Sequence, residues 1–345
     1  MEHRQNQTGS AGTPTDILEP PAGLPEVIGI GTCCVDLLAR VTSLPPSDGA
    51  VHLDQYSWQG GGKVPTAIVA AAVLGARCGM VGHIAGDRFG QFCLSDFHRH
   101  GIDTTRLIPQ ADGKTPFAIV VSETDKGTRT FIKTNGKLER MNPEALDTAY
   151  FSACRLLHLE HMGALEMAAA AIVRKQGGRV VFDADRYWPG MEQAVPHTDV
   201  FIASEAYYRQ AFPGGDLRDN LLALKARGPS IVAVTLGDKG CVLLEEDRLI
   251  EVPGFSVPVA DTTGAGDVFH GAFLFGLLQA WPLVQIARFA NAVAAIKCTR
   301  MGGRAGIPTL DVAETFLDTG RLDDAQLDAR VRHYEDALFA MDACG

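Results

Sequence analysis

At 345 residues and 46% hydrophobic, the chain is long enough to bury the core of one large α/β domain with an appendage. A formal charge of -10 argues against a nucleic-acid partner, since contact with a phosphate backbone needs a basic face. Eight scattered cysteines without a C-x-x-C pair, no apolar signal core and no apolar run long enough to cross a bilayer lead us to expect a cytoplasmic protein with neither a disulfide framework nor zinc.

Residues 1–25 are polar and rich in Gly, Pro and Thr, the composition of a disordered arm. Residues 27–33 read as the first strand. The run Gly29-Ile30-Gly31 starts like a dinucleotide fingerprint, but the third glycine is missing and Asp36 follows where a helix should begin. Residues 41–59 read as short irregular strands broken by Pro45-Pro46 and Asp48-Gly49. Gly60-Gly61-Gly62-Lys63 precedes a helix over 65–74, with Pro65 in its favoured first turn. Strand 77–83 and helix 87–100 follow. Residues 116–121 and 128–134 predict a hairpin through Thr124-Asp125-Lys126-Gly127. Then come strand 155–160, helix 164–176, strands 179–184 and 199–203, helix 216–227 and strand 231–236. Such alternation predicts a parallel sheet covered on both faces. Helices over 266–280, 283–300 and 324–341 complete the chain.

The most informative stretch is Asp261-Thr262-Thr263-Gly264-Ala265-Gly266-Asp267, followed by a nearly unbroken apolar run to Leu278. That run is too long for a typical strand and reads as a buried helix. Glycines at its entry let another group approach the first amides, which have no partner within the helix and carry the positive end of its dipole. Such an entry holds phosphate or another anion. Asp267, in the first turn, could take a proton from a hydroxyl while those amides stabilise charge on the group it attacks.

Asp-Thr-Thr-Gly-Ala-Gly-Asp-x-Phe-x-Gly-Ala-Phe resembles the C-terminal signature of the ribokinase, or PfkB-type, sugar kinases. The resemblance implies a three-layer α/β/α fold with a mostly parallel central sheet and a small β lid. It places a kinase domain at 26–320, with lid strands at about 36–59 and 113–135, and a C-terminal helix at 321–345. It implies transfer of the γ-phosphoryl group of ATP to a sugar hydroxyl, with Asp267 as base and Gly264, Ala265 and Gly266 as anion hole. Asp36, Gly61, Gly62, Lys63 and His161 fall at sugar-binding positions. Thr235, Gly237, Gly240, Thr263 and Asn291 fall at nucleotide-binding positions. Mg2+ is implied with the ATP. Glu205 is the residue nearest the family's Asn-x-x-Glu, which here has become Ser204-Glu205-Ala206-Tyr207. Asp261 would hold a monovalent cation such as K+. Relatives pair through their lids, so a homodimer is expected, with no membrane or nucleic-acid partner.

Within the family, Thr66, Ser204 and the run at 298–308 look most like sulfofructose kinases, and Lys63 would suit an anionic or strongly polar sugar. His161 stands where those enzymes carry an Arg. Asp183 and Asp185 end a strand; two carboxylates there could suggest a metal, but such a pair after an apolar strand more often caps a turn. His98 and His100 read as one solvated helix face, and His158 as a buried or capping histidine. A nucleoside kinase on the same fold and a non-catalytic sugar sensor are the alternatives. A dinucleotide oxidoreductase is disfavoured by the missing glycine.

Overall fold

The computed structural model describes residues 23–335. Most of the expected N-terminal arm, and the end of the helix predicted over 324–341, lie outside the described residues. A nine-stranded sheet forms the centre. Its strands are β1 (Val27–Ile30), β4 (Cys78–Ala85), β5 (Asp103–Gln110), β8 (Leu156–Leu159), β9 (Arg179–Ala184), β10 (Val200–Ser204), β11 (Ile231–Thr235), β12 (Cys241–Glu245) and β13 (Arg248–Val252). The spatial order is β13-β12-β11-β10-β9-β8-β1-β4-β5. From β11 to β5 every pairing is parallel; β12 and β13 add an antiparallel edge.

Central strands such as β1 and β8 are buried along their whole length, because helices cover both faces. Side chains alternate between two cores. Val27 and Val181 enter one, while Ile28, Val180 and Phe182 enter the other. The first core is closed by α1 (Lys63–Val73), α2 (Arg88–Arg99), α6 (Ala265–Leu278), α7 (Leu283–Cys298) and α8 (Leu310–Thr319). The second is closed by α3 (Ala164–Lys175), α4 (Glu205–Ala211) and α5 (Leu217–Lys225). Helix α6 is buried from Val268 to Leu278, as its all-apolar sequence requires. Gly271 lets α1 come this close: a Cβ there would stand 2.3 Å from the Ala67 carbonyl oxygen.

A second, four-stranded sheet is ordered β3-β2-β6-β7, from β2 (Cys34–Val41), β3 (Gln55–Gly61), β6 (Phe117–Glu123) and β7 (Thr128–Thr134). It is the expected lid. Its strands β2 and β3 are longer and more regular than the broken ones predicted, since the prolines lie in the loop between them. Trp58, Phe117 and Phe89 stack where the lid meets the main body, with neighbouring ring centroids 5.3 to 5.9 Å apart.

Helix α9 (Asp324–Glu335) is tied to the body rather than appended to it. Arg300 bonds Asp324 and Asp328 at 2.8 Å each, and Leu327 is fully buried in the first core. The expected solvated face of α2 is therefore partly covered. The His100 ring bonds the Tyr334 hydroxyl at 2.8 Å, and burial pushes that imidazole down to about 3. Strands β5, β12 and β13 and helices α4 and α8 are additions that the sequence reading passed over.

Candidate active site

The parallel strands deliver their C-terminal ends to one edge, where ligands of such sheets bind. Glu160 follows β8, Asp183 and Asp185 end β9, and Lys63 opens α1 across from them. The Lys63 ammonium lies 3.2 Å from Asp185 and 3.6 Å from Glu160. Burial opposes its charge, but Asp183, Glu160 and Asp185 together hold its pKa above the ordinary value. Lys63 is thus matched by acids of its own chain. Neither Asp183 nor Asp185 is the simple turn cap expected: Asp183 pairs with His270 on α6 at 3.4 Å. His158 is completely buried, its ring 5.2 Å from that of His270.

Asp267 stands in the first turn of α6 and is half-buried. Burial pushes its carboxyl well above the usual range, and the charge of Asp183 adds to this. Lys63 opposes the rise, while Glu160 and Asp185 reinforce it. Asp267 therefore feels the whole acidic cluster around Lys63.

The diglycine is held by backbone approach. Gly62 has φ +94°, and a Cβ on it would meet the Thr32 carbonyl oxygen at 2.3 Å. Asp36 lies against Gly61, where a Cβ would stand 2.3 Å from Asp36 Oδ2. Behind them, the fully buried Arg304 bonds Asp96 at 2.6 Å, the Gly61 carbonyl at 3.0 Å and the Thr66 hydroxyl at 3.3 Å. Thr66, one of the departures from the family pattern, is therefore an acceptor for that arginine. Ser204, the other, caps α4 by accepting from the Tyr207 amide at 2.9 Å and donates to the Asp185 carbonyl. His161 lies beside Trp188, on a recess shared with Thr32 and Arg140.

Beside the entry of α6 is a cleft. Thr235, Gly237, Gly240 and Asn291 line it, together with Val257, Phe269, Ala295, Ala265 and Gly266. Four of the five expected nucleotide contacts are brought together here. Thr263 is the exception: it is buried, its hydroxyl donating to Asp261 Oδ1 at 2.8 Å, and Thr262 takes its place on the cleft wall. The Asn291 amide is spent on the carbonyls of Val252 and Pro253, so it shapes the wall.

Gly264 caps α6 in the left-handed region at φ +73°, which favours glycine. The Ala265 amide donates to the Thr262 carbonyl at 3.2 Å, so it is not free as the anion-hole expectation required. Gly266 is exposed, and a Cβ there would meet nothing within 4 Å. That open side is where a ligand can reach the helix entry.

Glu205 opens α4 and is paired with Arg209 at 2.6 Å. Asp261 does not present an open carboxylate. Oδ1 accepts from the Thr263 amide and hydroxyl, Oδ2 accepts from the Gly302 amide, and its carbonyl accepts from Lys297 Nζ at 2.8 Å. Among the described residues no group of three or more His, Cys, Asp or Glu is arranged to hold a metal.

A mostly parallel sheet between two helical layers, with a small second sheet and a glycine-entered helix beside a cleft, defines an α/β/α class of fold. The model of the pfkB family of carbohydrate kinases matches residues 25–310. The ribokinase of Haemophilus influenzae is 30% identical over 268 residues, covering 75% of this chain and 87% of that protein. An Arabidopsis thaliana ribokinase complexed with ribose and ATP superposes with a TM-score of 0.72 at 20% identity, covering 86% and 99% of the two chains. A Ribokinase II from E. coli in complex with ATP and Mg2+ gives 0.73 at 22% identity over 86% and 99%. The chain belongs to the pfkB carbohydrate kinase family and is an ATP-dependent carbohydrate kinase.

Glu160, Asp183 and Asp185 were not singled out as site residues in the sequence. Their one signal was position, at the ends of adjacent apolar strands.

Proposed function

We propose that the chain transfers the γ-phosphoryl group of ATP to a hydroxyl of a neutral, polyhydroxylated sugar, with Asp267 as general base. One observation carries the reading. Residues 265 and 266 line the cleft, and the next residue, Asp267, feels the charges of Asp183, Lys63, Glu160 and Asp185. A carboxylate in contact with that acidic cluster therefore stands at the helix entry beside the cleft.

In this reading the sugar lies over Gly61 and Gly62, with Asp36 and Glu160 accepting from its hydroxyls. Asp267 takes the proton of the attacking hydroxyl, a contribution of about 10²- to 10⁴-fold. The open amide at Gly266 and the positive end of α6 stabilise charge on the moving phosphoryl group, worth about 3–4 kcal/mol for a good donor. Gly264 serves by turning the chain into that geometry. When bound with ATP, Mg2+ neutralises charge shared between the phosphates, and Glu205 would orient its waters. The lid closes over the sugar and keeps water from the phosphoryl group.

The pocket favours a neutral substrate. Lys63 faces Asp183, Asp185 and Glu160, so its surroundings carry more negative than positive charge. A second anion, phosphate or sulfonate, would be repelled there. The exposed Tyr56 and Ile132, which the strand registers place on one face of the lid, would form a dimer face. Among the described residues seven cysteines are free thiols, in keeping with a cytoplasmic setting.

Release of ADP is to be measured with neutral pentoses and ketohexoses beside phosphorylated and sulfonated ketoses and nucleosides, for the wild type and Lys63→Ala. A neutral sugar should give the highest kcat/KM, and Lys63→Ala should lower it. Preference for a phosphorylated or sulfonated sugar, lost in Lys63→Ala, would overturn the polarity argument. Preference for a nucleoside would overturn the sugar. Sugar binding without ADP formation would make the protein a sensor.

A further inference from the structure

The loop that leads into the anion hole is held by three cationic side chains from three directions. Lys297, in the last turn of α7, is completely buried and its ammonium donates to the Asp261 carbonyl at 2.8 Å. Arg40 of β2 reaches the Ala260 carbonyl at 3.2 Å, and Arg129 of β7 reaches the Thr263 hydroxyl at 3.3 Å. The groups whose fields act on the ammonium are the Cys298 thiol, Asp261, Arg129 and Asp267.

A fully buried lysine is rare, and an apolar residue would fill the end of a buried helix at less cost. What this lysine brings is a tethered amino group on the Asp261 carbonyl at the start of residues 261–267; burial lowers its pKa, and Cys298, Asp261 and Asp267 support its charge against Arg129. The family resemblance implies a monovalent ion at Asp261, and the residues present do not fit one. The Asp261 carbonyl already has an ammonium on it, its carboxylate already has three donors, and Lys297 and Arg129 would repel a further cation.

We propose that the Lys297 ammonium is a tethered substitute for that ion. It positions Asp261, and through it the loop carrying Gly264, Gly266 and Asp267, so that phosphoryl transfer needs no added potassium. Lys297 is a positioning residue, since it acts through the loop.

The test compares wild type, Lys297→Met and Lys297→Ala in buffers free of alkali cations and in added KCl or NH4Cl, with ionic strength held by choline chloride. Wild-type kcat and Tm should not change with potassium. Lys297→Met, which keeps the length and removes the charge, should lose about 10- to 100-fold in kcat with KM for the sugar little changed. Lys297→Ala should lose as much and regain about tenfold with potassium or ammonium, its Tm rising with the same salts and not with choline. A wild-type kcat or Tm that climbs with potassium would overturn the proposal without reference to any variant. So would full turnover in Lys297→Met, or a folded Lys297→Ala that no cation rescues. The rate comparison rests on the kinase reading. A wild type without phosphotransfer would sink that reading, and the Tm comparison would still decide the role of Lys297.

Discussion

Asp183 and Asp267 share one pocket and are pushed in opposite directions. Burial alone would raise Asp183, but the adjacent His270 and Lys63 bring it down to about 2. Burial raises Asp267, and the ionised Asp183 raises it further. Carboxylates driven apart in this way divide the roles of fixed charge and proton carrier. Asp183, lower in the folded chain than its ordinary value near ~3.9, contributes stability that is present above that value and lost as pH falls toward about 2. Asp183→Asn should therefore lower stability by about 2–3 kcal/mol near neutral pH, with the loss fading below about pH 4. Asp267 has the reverse sign. Its raised pKa means that the folded chain holds a proton the unfolded chain has released, so its contribution falls as pH rises through that window. Asp267→Asn should then raise Tm at alkaline pH and leave it nearly unchanged in acid. Melting curves of both variants across pH check the pair, and differences that do not vary with pH would refute it. In the sequence Asp267 was readable from its motif. Glu160, Asp183 and Asp185 were not, because only the neighbouring placement of β8 and β9 brings them to Lys63.

At the scale of the element, the entry and face of α6 separate folding from catalysis. At Gly264 a side chain meets both a left-handed backbone and the Gly303 Cα at 2.9 Å. Gly264→Val should lower Tm and turnover together. Gly266 has open space, so Gly266→Val should keep the wild-type Tm within a few degrees while losing about 100-fold in kcat/KM for ATP. A Gly266 variant with unchanged kinetics would remove the helix entry from the phosphate site. Gly271→Val, facing Ala67 and Ala70 of α1, should cost about 1–3 kcal/mol or more by overpacking. The helix itself was legible to within two residues at each end, since its apolar run has no polar face to mislead. The five-residue β12 and β13 were not, because Glu245, Glu246 and Asp247 make an edge hairpin look like a polar loop. Pro109 hid β5 in the same way.

At the scale of the whole molecule, the sheet order sets the chemistry. Pairing of β1 with β8 and β4, far apart in sequence, forms the middle of the sheet, and the antiparallel edge at β12 and β13 is tied to the cleft wall through Asn291. Strand and helix alternation announced the layers; the order of the strands could not be read from it. The proposed dimer through the lid predicts that the wild type sediments as a dimer and Ile132→Asp as a monomer with Tm preserved; a wild type that sediments as a monomer would refute the dimer, and a dimeric Ile132→Asp would refute the lid contact. The most direct measurement is the turnover of Asp267→Asn beside its calorimetric affinities for the sugar and for ATP. The account predicts both affinities within a few-fold of wild type and kcat lower by about 100-fold or more. Turnover within about tenfold of wild type would contradict it, because the proton would then be leaving by a route that does not include Asp267.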